Sequence, residues 1–239
     1  MFKPTISTYS ENTVLLKWPA AIDSKLHEKI LAYEEFIVST FKQVILDTVV
    51  TYAEMAVYLK PDASPNEIVE TIDSFDIETT TIAEEGTIWH IPVCYESIFG
   101  LDLEVVATHN NLPVDQISAL HSQKRYRIYF TGFLPGFLYL GGLPENMTTP
   151  RKETPRLVIP KGAVAIAGSQ TGIYPTESPG GWQIIGQTPV ELFNKKQSPP
   201  TPFLAGDLIQ FEAITKNQFD AIALEIAAGI YQFKKTPKS

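Results

Sequence analysis

Between Phe130 and Trp182 the chain concentrates side chains able to recognise a small, flat, anionic molecule. Pro150-Arg151 and Pro155-Arg156 repeat at a five-residue spacing, with Lys161 close behind. Guanidinium forks grip a carboxylate or phosphate at two points, which an ammonium does less well. Proline keeps the residue before it extended, so this segment should stay open rather than helical. Its arginines are anion-binding candidates; the alternative is a solvated face carrying ordinary surface ion pairs. Gly132-Phe133-Leu134-Pro135-Gly136-Phe137 follows a strand-like run, and two rings about a Pro-Gly turn either wall a planar ligand or pack as core. Gly168-Ser169-Gln170-Thr171-Gly172 resembles a phosphate loop only superficially, because neither Gly-Lys-Ser/Thr nor a helix follows. A hairpin is the competing account. Gln170 offers a donor and an acceptor suited to an amide, and Tyr174 and Trp182 add ring faces, a hydroxyl and an N–H, or pack as core.

His121 closes a helix that Pro113 begins. The C-terminal end of a helix is electronegative, which favours a protonated imidazole. That leaves two roles, an anion binder or general acid, or a helix cap without chemistry. His90 and His109 match no metal-ligand spacing, and Cys94, the only cysteine, has no activating neighbour in sequence. No metal site is expected.

The elements that must hold these groups divide by composition. The chain has 239 residues, 44% hydrophobic and 19% charged, with net charge −8. Residues 1–87 carry −9 and the remainder +1, and all four arginines (Arg125, Arg127, Arg151, Arg156) lie in the second part. An acidic balance argues against nucleic acid as a partner, since phosphate backbones need clustered cations. No secretory signal or bilayer-length apolar run is visible, so a cytoplasmic protein with no membrane partner is expected. Residues 1–87 read as an α+β domain: strands at Ile6–Tyr9, Thr13–Lys17, Gln43–Thr51 and Met55–Leu59, a helix capped by Asp23, and a second helix entered at Pro65. A strand near Thr87–Val93 completes the order β-β-α-β-β-α-β. Residues 88–239 read as a closed or sandwiched β domain, with short strands at Arg125–Phe130, Leu157–Ile159, Ala163–Ala167, Trp182–Gln187 and Leu208–Phe211. A helix follows Thr215, with Gln218 completing a capping box and Phe219, Ile222 and Ile226 expected on its buried face.

At these motifs the sequence resembles the family of 5-oxoprolinase B subunits, which includes the sporulation kinase inhibitor KipI and was formerly labelled as the first subunit of allophanate hydrolase. The likeness rests on Gly132 to Leu140, on Pro150-Arg151 with Thr154-Pro155-Arg156, on Gly168 to Pro175, and on Ser178-Pro179-Gly180-Gly181-Trp182. Leu120-His121-Ser122 and Gly206-Asp207 also fit, although Ala205 stands where the family usually has proline. The resemblance implies a cyclophilin-like β-barrel after the N-terminal domain. It implies work with the C and A subunits of 5-oxoprolinase in a complex that opens 5-oxoproline to L-glutamate at the expense of ATP, with Mg held by the complex and this chain inactive alone. It equally allows a binding module that inhibits a sensor histidine kinase. Catalytic roles are expected for His121, Arg151, Arg156 and Gln170, and substrate-wall roles for Phe133, Phe137, Tyr174 and Trp182.

Overall fold

The computed structural model describes residues 3–74 and 86–238. The chain divides into two compact units, Met1–Glu84 and Glu85–Ser239, a division three residues before the composition break.

The first unit contains strands β1 (Thr5–Ser10) and β2 (Thr13–Lys17), helix α1 (Ser24–Thr40), strands β3 (Ile45–Val50) and β4 (Glu54–Leu59), and helix α2 (Pro65–Ser74). Its antiparallel sheet runs β1-β2-β4-β3. Helix α1 starts where the Asp23 carboxylate accepts the Leu26 N–H at 2.8 Å, satisfying one of the orphan donors of a first turn. Leu26, Ile30, Tyr33 and Ile37 then recur at three- and four-residue steps and are buried with Val14, Leu16, Met55 and Val57 from the sheet.

The second unit is built on β5 (Thr87–Cys94), helices α3 (Leu103–Asn110) and α4 (Val114–Gln123), strands β6 (Arg125–Thr131), β7 (Leu138–Gly141), β8 (Arg156–Ile159), β9 (Ala163–Ala167), β10 (Gln170–Ile173), β11 (Ser178–Gly180), β12 (Gln183–Gln187) and β13 (Leu208–Ile214), helix α5 (Lys216–Ala227) and strand β14 (Lys234–Pro237). Seven strands close into a barrel in the order β12-β9-β10-β7-β6-β13-β5, and β14 adds to β5. The free edge of β5 is shared: Thr87–His90 pair with β14, while Cys94 meets Gln187 of β12 and closes the ring. The sequence pattern groups β5 with the first four strands. The strand instead pairs parallel with β13, matched from Ile88↔Leu208 to Cys94↔Ile214, a partner about 120 residues away. Asp207 fixes that start, accepting from the Thr87 N–H (2.9 Å) and the Trp89 indole N–H (2.8 Å).

Strand β9 reads Ala-Val-Ala-Ile-Ala and is buried throughout, a pattern that arises when both faces of a strand are covered. Val164 and Ile166 point into the barrel core with Ile128, Leu138, Leu140 and Ile185. Ala163, Ala165 and Ala167 face outward under a second cluster of Phe137, Ile159, Tyr174, Trp182 and Ile184. The two-stranded β8/β11 ribbon is part of that cover.

The capping box at Thr215 and Gln218 is present as expected. Burial of α5 is shallower than its spacing suggests: it has no fully buried residue. Ile222 and Ile226 are only partly buried against the core, and Phe219 stacks on Phe99 at 4.5 Å. No described helix is long and apolar enough to cross a membrane. The Cys94 thiol is buried, and burial raises its pKa.

Candidate functional site

The β-ladder sorts the expected site residues onto opposite sides of one sheet. Strand β10 pairs Gln170 with Ala167, Thr171 with Ile166 and Gly172 with Ala165. Because side chains alternate along a strand, Gln170 lies on the outer face with the alanines, while Thr171 points inward. His121 is on the Thr171 side. Its Nε2 lies 2.9 Å from Thr171 Oγ1 and its Nδ1 lies 2.7 Å from the Tyr95 hydroxyl. Thr171 already donates its one hydroxyl proton to the Ala165 carbonyl at 3.0 Å. Toward His121 it can therefore only accept, so Nε2 carries the hydrogen and Nδ1 accepts from Tyr95. The imidazole is fully buried and stacks on Phe211 at 4.5 Å. Burial drives its pKa down to about 3. The expectation of a protonated anion binder or general acid at His121 is thus overturned. Desolvation outweighs the modest helix-end potential, and the sheet separates this ring from Gln170.

Arg156 is likewise committed elsewhere. Its guanidinium makes two bonds to the Asp102 carboxylate, at 2.7 and 2.8 Å. Lys152 Nζ adds a third contact at 3.3 Å, and the Ile184 N–H a fourth at 2.8 Å. Asp102 is nearly inaccessible. Burial alone would raise its pKa, but the Arg156 and Ile184 hydrogen bonds and the two cations together lower it. This is a structural ion pair, and Arg156 is not a free substrate ligand.

What the fold does assemble is an aromatic cluster on the outer face. Phe137 meets Tyr174 at 5.0 Å and Trp182 at 5.5 Å, both edge to face. Tyr139, cross-strand from Gly172, lies 4.7 Å from Phe137 and stacks on Phe130 at 4.3 Å. Phe137, Tyr174 and Trp182 are almost fully buried, so their larger role is packing, in keeping with the core alternative. The Tyr174 hydroxyl lies directly beneath Gly180: a Cβ there would come within 2.5 Å of it. That contact accounts for the first glycine of Ser-Pro-Gly-Gly-Trp.

The accessible part of the cluster is its rim. The Arg151 guanidinium sits 5.9 Å from the centroid of the Trp182 ring, within cation–π range. It is exposed, and its charge opposes the upward pKa shifts that burial imposes on Tyr139 and Tyr174. Tyr174 nevertheless rises to about 12, and both phenols are neutral hydrogen-bonding groups near neutral pH. Phe133 packs edge to face on Phe137 at 5.8 Å, yet is 63% exposed. Its φ is +64°, and the Leu134 N–H donates across it to the Gly132 carbonyl at 2.7 Å. A bulky residue there carries strain. Gly168 and Ser169 form a two-residue hairpin turn, with φ of +59° at Gly168, and the next residues enter the β10 ladder. Gly168 exchanges both backbone hydrogen bonds with Thr149, at 2.7 and 3.3 Å, which does not fit a phosphate cradle.

Tyr139 and Asp102 are the site-related residues that the sequence pattern does not single out. Tyr139 stands in the Gly-Phe motif at a two-residue step from Phe137, a usable strand signal. Asp102 has none, because its partners lie 50 or more positions away. Among the described residues no group of three or more His, Cys, Asp or Glu is placed to hold a metal.

This geometry falls within a known class. A family model described as the carboxyltransferase domain, subdomain C and D, matches residues 4–203. The 5-oxoprolinase B subunit of Haemophilus influenzae is 38% identical over 202 residues, covering 84% of this chain and 94% of that protein. The 5-oxoprolinase B subunit of Bacillus subtilis is 47% identical over 131 residues, 55% of each chain; the matched region thus spans little more than half of that relative. The urea amidolyase of K. lactis superposes with a TM-score of 0.80 over 98% of this chain and 16% of its own, at 14% identity, a likeness of fold alone. The chain belongs to the carboxyltransferase C and D family, within the branch formed by the 5-oxoprolinase B subunits.

Proposed function

We propose that this chain is the B subunit of an ATP-dependent 5-oxoprolinase, acting with the A and C subunits to open 5-oxoproline to L-glutamate. The structural observation that carries the reading is Arg151 held over Trp182 beside two neutral phenols. The near full-length match to a 5-oxoprolinase B subunit supports it. 5-Oxoproline is a compact ring bearing one carboxylate and one lactam amide. In this reading Arg151 grips the carboxylate, the ring lies along the aromatic rim between Trp182 and Phe133, and Gln170 with Tyr139 reads the lactam. His121 and Arg156 contribute through packing and placement.

A lactam is a poor electrophile, and ATP supplies the phosphoryl group that activates its oxygen. ATP and its Mg belong to the assembled complex in this proposal, since the Gly168–Gly172 segment is a paired hairpin. The barrel is taken as cyclophilin-like, the first unit as α+β, and the complex as cytoplasmic. This chain alone is taken as inactive.

The test is reconstitution with the A and C subunits and an assay of glutamate release. The expected result is ATP- and 5-oxoproline-dependent turnover by the complex and none by any of the three chains alone. A correctly assembled complex that releases no glutamate refutes the function. Arg151→Ala should raise KM for 5-oxoproline by roughly 10²-fold, the loss of a charge-assisted two-point contact of about 3 kcal/mol. Unchanged KM in that variant removes Arg151 from the site.

A further inference from the structure

Arg151 lies in a strap, residues 150–155, that has no helix or barrel strand of its own and runs into β8 at Arg156. Three sets of contacts pin that strap. The Gln183 side-chain amide donates to the Pro150 carbonyl at 3.0 Å, and the Lys152 N–H donates to the Gly181 carbonyl at 2.7 Å. These two bonds straddle Arg151 and anchor it on either side of Trp182. The third set is ionic: Lys152 and Arg156 converge on Asp102. Asp102 is itself tied to the barrel twice, by its backbone N–H to the Ile184 carbonyl (2.8 Å) and by its carboxylate from the Ile184 N–H (2.8 Å). Two of the three anchors, through Gln183 and through Asp102 to Ile184, thus end on β12, and the third ends on Gly181, so all lie next to Trp182.

We propose that Asp102 is a positioning residue for Arg151: its carboxylate draws Lys152 and Arg156 together and fixes the strap so that the intervening guanidinium stands over Trp182. The inference rests on the reading of Arg151 as the carboxylate grip. A planar Arg–carboxylate fork fixes orientation as well as distance. Asn at position 102 is nearly the same size but removes the charge and presents an N–H toward the Ile184 amide or a guanidinium. Misplacement of a binding group by about 1 Å is enough to cost up to ~10²-fold.

The experiment uses the reconstituted complex with Asp102→Asn, Arg156→Lys, Arg151→Ala and Asp207→Asn. Asp207 is a second buried carboxylate that holds Trp89 and Thr87, so its variant reports on general loss of stability. Asp102→Asn and Arg156→Lys should raise KM for 5-oxoproline about 10-fold or more, with kcat within about 3-fold of wild type and KM for ATP unchanged. Asp207→Asn should lower the melting temperature without moving KM. A second readout needs no activity: trypsin cleaves after Arg151 and Lys152, and cutting there should quicken about 10-fold in Asp102→Asn and Arg156→Lys but not in Asp207→Asn. Wild-type KM and wild-type cleavage in the folded Arg156→Lys protein overturn the proposal, even if Asp102→Asn fails to fold. If Arg151→Ala leaves KM unchanged, the reading of the site falls instead. Faster cleavage without a KM change shows a clamp that does not serve binding, and it overturns the positioning role.

Discussion

Acid sensitivity should be written into His121. In the folded barrel its imidazole titrates near 3, against 6.5 when free. Its surroundings are Tyr95, Tyr126, Phe211 and Thr171, none of which supplies a negative charge to offset protonation. Between those two values the unfolded chain binds a proton that the folded chain refuses, so stability falls as pH falls. The contribution is complete above about pH 6.5 and lost on the way down to about pH 3. Over the whole window the gap of 3.5 between the two values corresponds to about 5 kcal/mol at ~1.36 kcal/mol per pH unit. Near pH 4.5, about two pH units below the free value, the loss is already about 3 kcal/mol. Urea titrations of wild type and His121→Gln, run from pH 7.5 to pH 4.5, measure this directly. Glutamine retains one donor and one acceptor but cannot titrate. At pH 7 the variant should be less stable by about 1–3 kcal/mol, having lost the ring stack and the ideal hydrogen bonds. As pH falls, wild type should lose stability faster, and the two curves should converge. Parallel pH profiles would refute the buried neutral imidazole and make His121 a candidate acid again.

Gly180→Ala pushes a methyl within 2.5 Å of the Tyr174 hydroxyl and 2.7 Å of Ile159 Cδ1. It should cost about 1–3 kcal/mol, and Gly180→Ala with Tyr174→Phe should recover part of that by thermal melting. Phe133→Gly should relieve the positive-φ strain and raise the melting temperature, since such strain amounts to about 1–3 kcal/mol. The same change should weaken 5-oxoproline binding if the ring walls the site. Arg156→Ala leaves Asp102 buried with only Lys152 as a cationic partner, and should destabilise the second unit by about 3 kcal/mol. Its loss of turnover at low 5-oxoproline should exceed the fraction unfolded, measured by circular dichroism on the same samples, because the strap that carries Arg151 is released as well.

Local chemistry is readable from the chain wherever it depends on near neighbours. The Asp23 cap, the Thr215–Gln218 box and the apolar run Ala163–Ala167 each depend on residues within a few positions. Strands β7, β10 and β11 are hidden inside the motifs themselves, because glycine and proline at three- and four-residue intervals mask a short strand signal. Helix α3 escapes for a related reason: Asp102 occupies its N-cap position but makes no capping hydrogen bond, being turned instead toward Arg156.

The order of amino acids is enough to settle the family. It does not decide which side of a strand each motif residue faces. His121 reads the same whether its ring meets solvent or Thr171, and Arg156 reads the same whether it waits for a substrate or holds Asp102. Those outcomes depend on pairings across 50 to 120 positions, where burial and a committed partner outweigh the preference of any residue for charge or solvent.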